Sequence, residues 1–206
     1  KALSFYEKAL GIQEKILSEN HSDLATSYNN IGHVYVNLEE YSKALSFFEK
    51  ALGIREKTLP ANHPSLATSY NNIGSMYSEM GEYSKALSFY EKTLGIDENT
   101  LSENDPSLAT SYNNIGSMYD KMEEYSKALS YFERALDITK VSLPPNHPDL
   151  ANSHNYLGRV YYNMNEYSTA LSYFEHALEI LEVSLSSNHP DVEGVKEWIE
   201  IVKEEL

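Results

Sequence analysis

The chain contains no cysteine. That excludes a disulfide scaffold and a thiolate metal site, and leaves the compartment open. Positive charge is scarce as well: 16 Lys and Arg stand against 31 Asp and Glu, a net charge of −15. Nucleic acid and anionic membranes both require a basic footprint, so neither is expected as a partner. There is no apolar run of about 18 residues and no basic-then-apolar leader. The chain opens at Lys1 rather than Met, inside a stretch that reads as helix, so it reads as a piece of something longer. A cytoplasmic setting is the expectation. What is present is globular in range: 206 residues, 41% hydrophobic and 23% charged, with 17 tyrosines.

One phrase keeps returning. "SYNNIG" occurs at 27–32, 69–74 and 111–116, and an altered copy, "SHNYLG", at 153–158. Leu24, Leu66, Leu108, Leu150 and Val192 mark one point in five successive copies, 42 residues apart. A fixed period of this size signals a repeat architecture. Each copy carries two helix signals. The first helix, A, opens at Pro64, Pro106, Pro148 and Pro190, because proline's missing N–H is unpaired at a first helical position anyway. Asp105 replaces the usual His before that proline and suits an N-cap. Polar turns near Glu39-Glu40, Gly81-Glu82, Glu123-Glu124 and Asn165-Glu166 end helix A. Helix B then starts at Tyr41, Tyr83, Tyr125 and Tyr167. Residues 1–20 read as an orphan helix B, 21–62, 63–104, 105–146 and 147–188 as full repeats, and 189–206 as a capping helix A. The expectation is an all-α chain of ten helices in one array.

Within one copy, Tyr28, Ile31, Gly32, Tyr35, Ala44, Phe48 and Ala51 fall at the spacings of a known signature. The chain resembles the tetratricopeptide repeats. Its 42-residue period, His-Pro loop and Asn-Asn in helix A resemble the kinesin light chain and nephrocystin-3 type. The resemblance implies a right-handed α-solenoid that binds peptides as an adaptor or scaffold. Gly32, Gly74, Gly116 and Gly158 are expected where helix B crosses helix A closely, with Ala44, Ala86, Ala128 and Ala170 on the facing helix. Tyr35 and Phe48 are expected to fill the layer between repeats, since one repeat cannot bury its own face. The position of Gly11, Gly53 and Gly95 becomes Asp137 and Glu179 in later copies, so it faces water.

In such a solenoid the A helices line the inner side, and one helix face needs spacings of three and four. Thr26, Asn30, His33 and Asn37 share that face, with Asn29 flanking. The next copies place Thr68, Asn72, Ser75 and Glu79 there with Asn71, then Thr110, Asn114, Ser117 and Lys121 with Asn113. The fourth has Asn152, Tyr156, Arg159 and Asn163 with Asn155. Over these twenty positions the charges are Glu79, Lys121 and Arg159, a net of +1 against −15 for the chain. Asparagine is a poor helix former, and the pair has no evident packing role. Its amide offers both a donor and an acceptor, which suits a peptide backbone. Neighbouring A helices at about 8–10 Å and an extended peptide rising about 3.3 Å per residue would let Asn30, Asn72 and Asn114 address every third residue. Tyr156 and Trp198 continue the spacing as aromatic rungs.

The expected site is therefore a peptide groove of Asn29, Asn30, His33, Asn71, Asn72, Ser75, Asn113, Asn114, Ser117, Lys121, Asn155, Tyr156 and Arg159. Its partner is a protein segment in extended conformation. The bland alternative is that inner positions need only be polar, since 65–77 and 107–119 are identical copies. Trp198 reads equally as packing of a polar cap, its helix carrying Glu200 and Lys203 where Gly and Tyr belong. His21, His63, His147 and His189 recur one repeat apart and cannot converge on one metal ion, so they read as caps. His154 and His176 lack a partner set. No paired acid and base, Ser-His-Asp arrangement or phosphate loop is present, so no enzyme, cofactor or metal is expected. Repeats that clamp a terminal carboxylate carry Lys and Arg here; repeats 1–3 carry Thr, Asn and Ser, which argues against that clamp. Basic residues limited to Lys121 and Arg159 also argue against acidic cargo peptides. The competing role is an architectural spacer, with an apolar helix-B face (Leu3, Phe5, Tyr6, Leu10) able to drive a homodimer.

Overall fold

The computed structural model describes residues 2–206, with side chains from Leu3 onward. Lys1, the first residue of the expected orphan helix, lies outside them. The described residues form ten helices and no strand. These are α1 (Ala2–Ile16), α2 (Ser22–Val36), α3 (Tyr41–Thr58), α4 (Pro64–Glu79), α5 (Tyr83–Thr100), α6 (Pro106–Lys121), α7 (Tyr125–Ser142), α8 (Pro148–Asn163), α9 (Tyr167–Ser184) and α10 (Pro190–Glu204). Both helix starts read from the repeat, proline for A and tyrosine for B, hold at every copy that carries them. None of the described helices is long and apolar enough to cross a membrane.

The helix ends follow from local chemistry. Each A helix is capped by the residue before its first position: Nδ1 of His21, His63, His147 and His189 and Oδ1 of Asp105 accept the backbone N–H two residues on. An accepting Nδ1 carries no proton, so the ring is held as the Nε2–H tautomer. The A helices end in a turn that needs a left-handed residue. Glu39, Gly81, Glu123 and Asn165 supply it, with φ of 57°, 75°, 61° and 61°.

The described residues fall into two compact units, one ending at Thr100 with α1–α5 and one running from Leu101 to Leu206 with α6–α10. In the first, α2 lies along α3 and α4 along α5, and α3 packs on α4. Its core joins Ile31, Phe48, Ala51, Leu66, Ile73 and Met76. In the second, α6 pairs with α7 and α8 with α9, while α10 covers α9. Its core is built on Phe132 and Leu157 and on Phe174, Leu181 and Val192. Ala44, Ala86, Ala128 and Ala170 are fully buried.

Two packing details differ from expectation, at Tyr35 and on α1. The motif glycines lie close against helix B as expected, each facing an aromatic ring of that helix. A Cβ on Gly32, Gly74, Gly116 or Gly158 would stand 2.6–2.9 Å from the ring of Phe48, Tyr90, Phe132 or Phe174. Tyr35 stacks on Phe47 within its own repeat, centroids 5.4 Å apart, and only its hydroxyl reaches back toward Glu7 of α1. On α1, Leu10 is buried and Leu3 partly so, because α2 covers them. The exposed apolar residues there are Phe5, Tyr6, Ile12 and Ile16.

Candidate peptide-binding face

In the first unit the asparagines of helix A are not equivalent. Asn30 is exposed, whereas Asn29, Asn71 and Asn72 are half-buried. Asn72 Nδ2 donates to Asn29 Oδ1 at 3.1 Å, joining α4 to α2. The pair thus has a packing role in this unit, which sequence reading did not supply: two side-chain amides 43 residues apart satisfy one another between repeats. His33 is exposed and stands edge-on to Phe48 with centroids 5.1 Å apart. Ser75 hydrogen-bonds the Tyr90 hydroxyl. Burial, with Glu79 nearby, still pushes that phenol up to about 12. Tyr90 stands where the other full repeats have Phe48, Phe132 and Phe174, so Ser75 satisfies a hydroxyl those lack.

Arg55 of α3 lies against the same face. Its Nη1 donates to Ser69 Oγ at 2.6 Å and to the Ser65 carbonyl at 3.4 Å. Burial pulls the guanidinium below its usual pKa. Nothing in the repeat signature marks this residue. The signal was a substitution between copies, since the same position is Asp97, Thr139 and Leu181 later in the chain.

In the second unit Asn113, Asn114, Ser117, Asn155, Tyr156 and Arg159 are half-buried and Lys121 is exposed. Tyr156 lies flat on Phe132, centroids 5.0 Å apart and planes 2° from parallel. Trp198 does the same on Phe174 at 5.6 Å, with Tyr162 edge-on and the Arg159 guanidinium 5.8 Å from its ring. That is the packing expected of a capping helix. Asn113 Oδ1 and Asn155 Oδ1 are buried without a hydrogen-bond partner.

Two pockets open on this face. One, of about 180 Å³, is lined by Asn113, Asn114, Thr139, Asp149, Asn152 and Tyr156 among others. The other, of about 210 Å³, is lined by Asn152, Asn155, Leu181, Asp191, Glu197 and Trp198 among others. Drug-sized ligands occupy roughly 300–1,000 Å³, so these are the size of single side chains. Four expected site residues, Asn113, Asn114, Asn155 and Tyr156, line them.

His154 departs from its counterparts too. Tyr28 and Tyr70 donate to Glu14 and Glu56 of the preceding B helix. His154 replaces the tyrosine, and Lys140 stands where the glutamate would. Its ring lies against Tyr173 and stacks on His176 at 5.7 Å. Burial, then Lys140 and His176, lowers its pKa to about 4. Among the described residues no group of three His, Asp or Glu could hold a metal ion.

A family model described as tetratricopeptide repeat matches residues 1–57, 23–99, 65–140 and 107–182. The chain belongs to the tetratricopeptide repeat family. Solved structures agree on the all-α solenoid fold of kinesin-light-chain-like repeats. BtubC (BKLC) of P. vanneervenii superposes with a TM-score of 0.82 at 20% identity, over 98% of this chain and 82% of that one. A Podosopora anserina kinesin light chain structure of nearly identical TPR-like repeats gives 0.77 at 22%, over 90% and 88%. The apo form of RapI gives 0.77 at 24%, over 89% of this chain and 64% of RapI. A search of curated proteins finds no match.

Proposed function

We propose that this tetratricopeptide chain is a protein-interaction module that binds an extended peptide segment along its A-helix face, in an adaptor or scaffold role. The observation that carries this reading is the pair of side-chain-sized pockets in the second unit, each lined by asparagines from the expected site. Each is also lined by an asparagine, Asn113 or Asn155, whose amide oxygen is buried without a hydrogen-bond partner. A buried acceptor without a partner costs roughly 1–3 kcal/mol. A peptide N–H supplies what is missing. Asn30 and His33 of the first unit, exposed beside the paired Asn29 and Asn72, serve the same ligand class.

The test is Asn113→Ala combined with Asn155→Ala. Removing two unpaired oxygens leaves the melting temperature unchanged or higher, while capture from an array of extended peptides falls to background. Retained capture by the folded double variant sinks the reading. A second reading, self-association of a spacer arm, is favoured by Phe5 and Ile16, which are 73% and 72% exposed on α1. Sedimentation of Phe5→Ser against the unaltered protein decides it: a monomer in both excludes the arm.

A further inference from the structure

The two pockets on the A-helix face of the second unit are one design repeated. Asn113, Thr139, Asp149 and Tyr156 of the first correspond, 42 positions on, to Asn155, Leu181, Asp191 and Trp198 of the second. The corresponding residues of the first unit are Asn29, Arg55, Ser65 and Asn72, and there the arrangement is closed. Asn72 donates to the Asn29 oxygen, and the Arg55 guanidinium donates to Ser65 and Ser69. The second unit differs at three of the four positions, and all three changes point the same way. Tyr156 and Trp198 lie flat on phenylalanines and supply no amide donor, which leaves Asn113 Oδ1 and Asn155 Oδ1 orphaned. Thr139 and Leu181 withdraw the internal cation. Asp149 and Asp191 replace a serine with a carboxylate.

What has been removed is a guanidinium and an amide donor; what has been added is negative charge. From this we infer that each pocket takes an arginine side chain of the bound peptide. The inference rests on the peptide-binding reading and names the side chains it selects. A guanidinium has five donors, enough to serve an amide oxygen and a carboxylate together, and it stacks on aromatic rings. The charges at the pockets agree. Asp149 in the first and Asp191 with Glu197 in the second are the acidic residues lining them. Among the described residues, no lysine or arginine lines either pocket; Arg159 lies over the Trp198 ring, and Lys196 pairs with Glu182. His147 and His189 lie 3.7 and 3.6 Å from these aspartates but accept backbone N–H bonds through that same nitrogen. The net charge of −15 draws a basic segment toward the protein. The pockets are one repeat apart, about 8–10 Å by the usual spacing of packed helices. Polyproline II rises about 3.1 Å per residue with three residues per turn, so arginines at i and i+3 reach both from one side of the ligand.

The probe is a fluorescent peptide, acetyl-Ala-Arg-Pro-Pro-Arg-Ala, against the same peptide with citrulline at both arginines. Citrulline keeps the shape and most donors but not the charge. Anisotropy is expected to show about tenfold or greater weakening with citrulline, since bonds to charged groups are the stronger class. Asp149→Asn weakens the arginine peptide severalfold; Tyr156→Asn, which restores the internal donor of the first unit, does the same. Glu175→Gln, an exposed acid away from both pockets, leaves it unchanged. Equal affinity for both peptides, or an equal loss in Glu175→Gln, overturns the inference as general charge attraction. Free arginine binding as tightly as the peptide overturns the paired sites. If neutral Ala-Pro peptides bind, lose affinity in the Asn113→Ala, Asn155→Ala protein, and gain nothing from arginine, the arginine pockets fail while the peptide reading stands. If no peptide binds, both fall. A second measurement does not depend on peptides or variants: titrating N-methylguanidinium against the side-chain amide resonances of Asn113 and Asn155, with sodium chloride as control. Shifts confined to guanidinium support the pockets, and their absence overturns them.

Discussion

Asn72 Nδ2 donates to Asn29 Oδ1 at 3.1 Å, so an amide that sequence reading assigned to a ligand holds two repeats together. Asn30, one residue from Asn29, is exposed. The two asparagines of the "NN" pair therefore differ in what they do, and so do equivalent asparagines in different repeats.

Asn72→Ala leaves Asn29 Oδ1 without its donor. The expected loss is about 1 kcal/mol, the desolvation cost of that oxygen less the helix propensity that alanine returns. Asn30→Ala stays within about 0.5 kcal/mol of the parent, as exposed substitutions do. Urea denaturation of the two variants separates them. Equal midpoints would mean the amide pair contributes nothing.

Two glycines of helix interiors have opposite fates. A Cβ on Gly116 would meet the Phe132 ring at 2.8 Å, and that ring is fully buried. Gly116→Ala is expected to destabilise by about 1–3 kcal/mol, the usual cost of overpacking. A Cβ on Gly53 meets nothing within 4 Å. Gly53→Ala raises the melting temperature, through a propensity gain of up to about 1 kcal/mol. Calorimetry of both gives the signs directly.

The turn after each A helix offers a second engineering site. Glu39 and Glu123 adopt φ of 57° and 61°, a region that costs a side-chain-bearing residue about 1–2 kcal/mol. Glu39→Gly and Glu123→Gly should each stabilise by roughly half that, since glycine also loses more chain entropy on folding. Gly81→Ala, at φ 75°, should destabilise. Thermal melts that fail to show this reversal of sign would place the turn energetics elsewhere.

His154 makes the fold sensitive to acid. Its pKa is about 4 in the folded protein against an ordinary 6.5. Above about pH 6.5 the ring is neutral in both states and contributes no pH dependence. As pH falls from 6.5 toward 4, the unfolded chain takes up a proton that the folded protein refuses, so stability is lost across that window. Below about 4 both states are protonated and this contribution levels off. His154→Tyr, which restores the residue of the other three repeats, should flatten the melting-temperature profile between pH 6.5 and 4. The capping histidines are common to both proteins and cancel in the difference. Parallel profiles would assign the acid sensitivity to other groups.

Much of the architecture was legible because the chain writes it several times. Proline and tyrosine at fixed points of the 42-residue period mark helix starts, and an N-cap needs only the residue before the proline. These are local signals, set within one turn of backbone. The polar A-helix face was legible for the same reason, as residues three and four apart share a side of a helix. The partner of each polar group was not. Whether Asn72 or Tyr156 follows Asn29 or Asn113 across the gap between helices depends on a register of 43 residues, which no local rule supplies. The comparison of copies marked Arg55 as a departure but not its partner, since its target Ser69 lies 14 positions on in another helix.

The sequence by itself determined an all-α tetratricopeptide array, the ends of its helices and the face that carries the asparagines, because period, capping chemistry and helical geometry act over a few residues. Only the tertiary structure decided which asparagines are satisfied and which are left open. Identical amides acquire different roles once packing sets whether the facing helix brings them a donor, as Asn72 does, or an aromatic ring, as Tyr156 and Trp198 do.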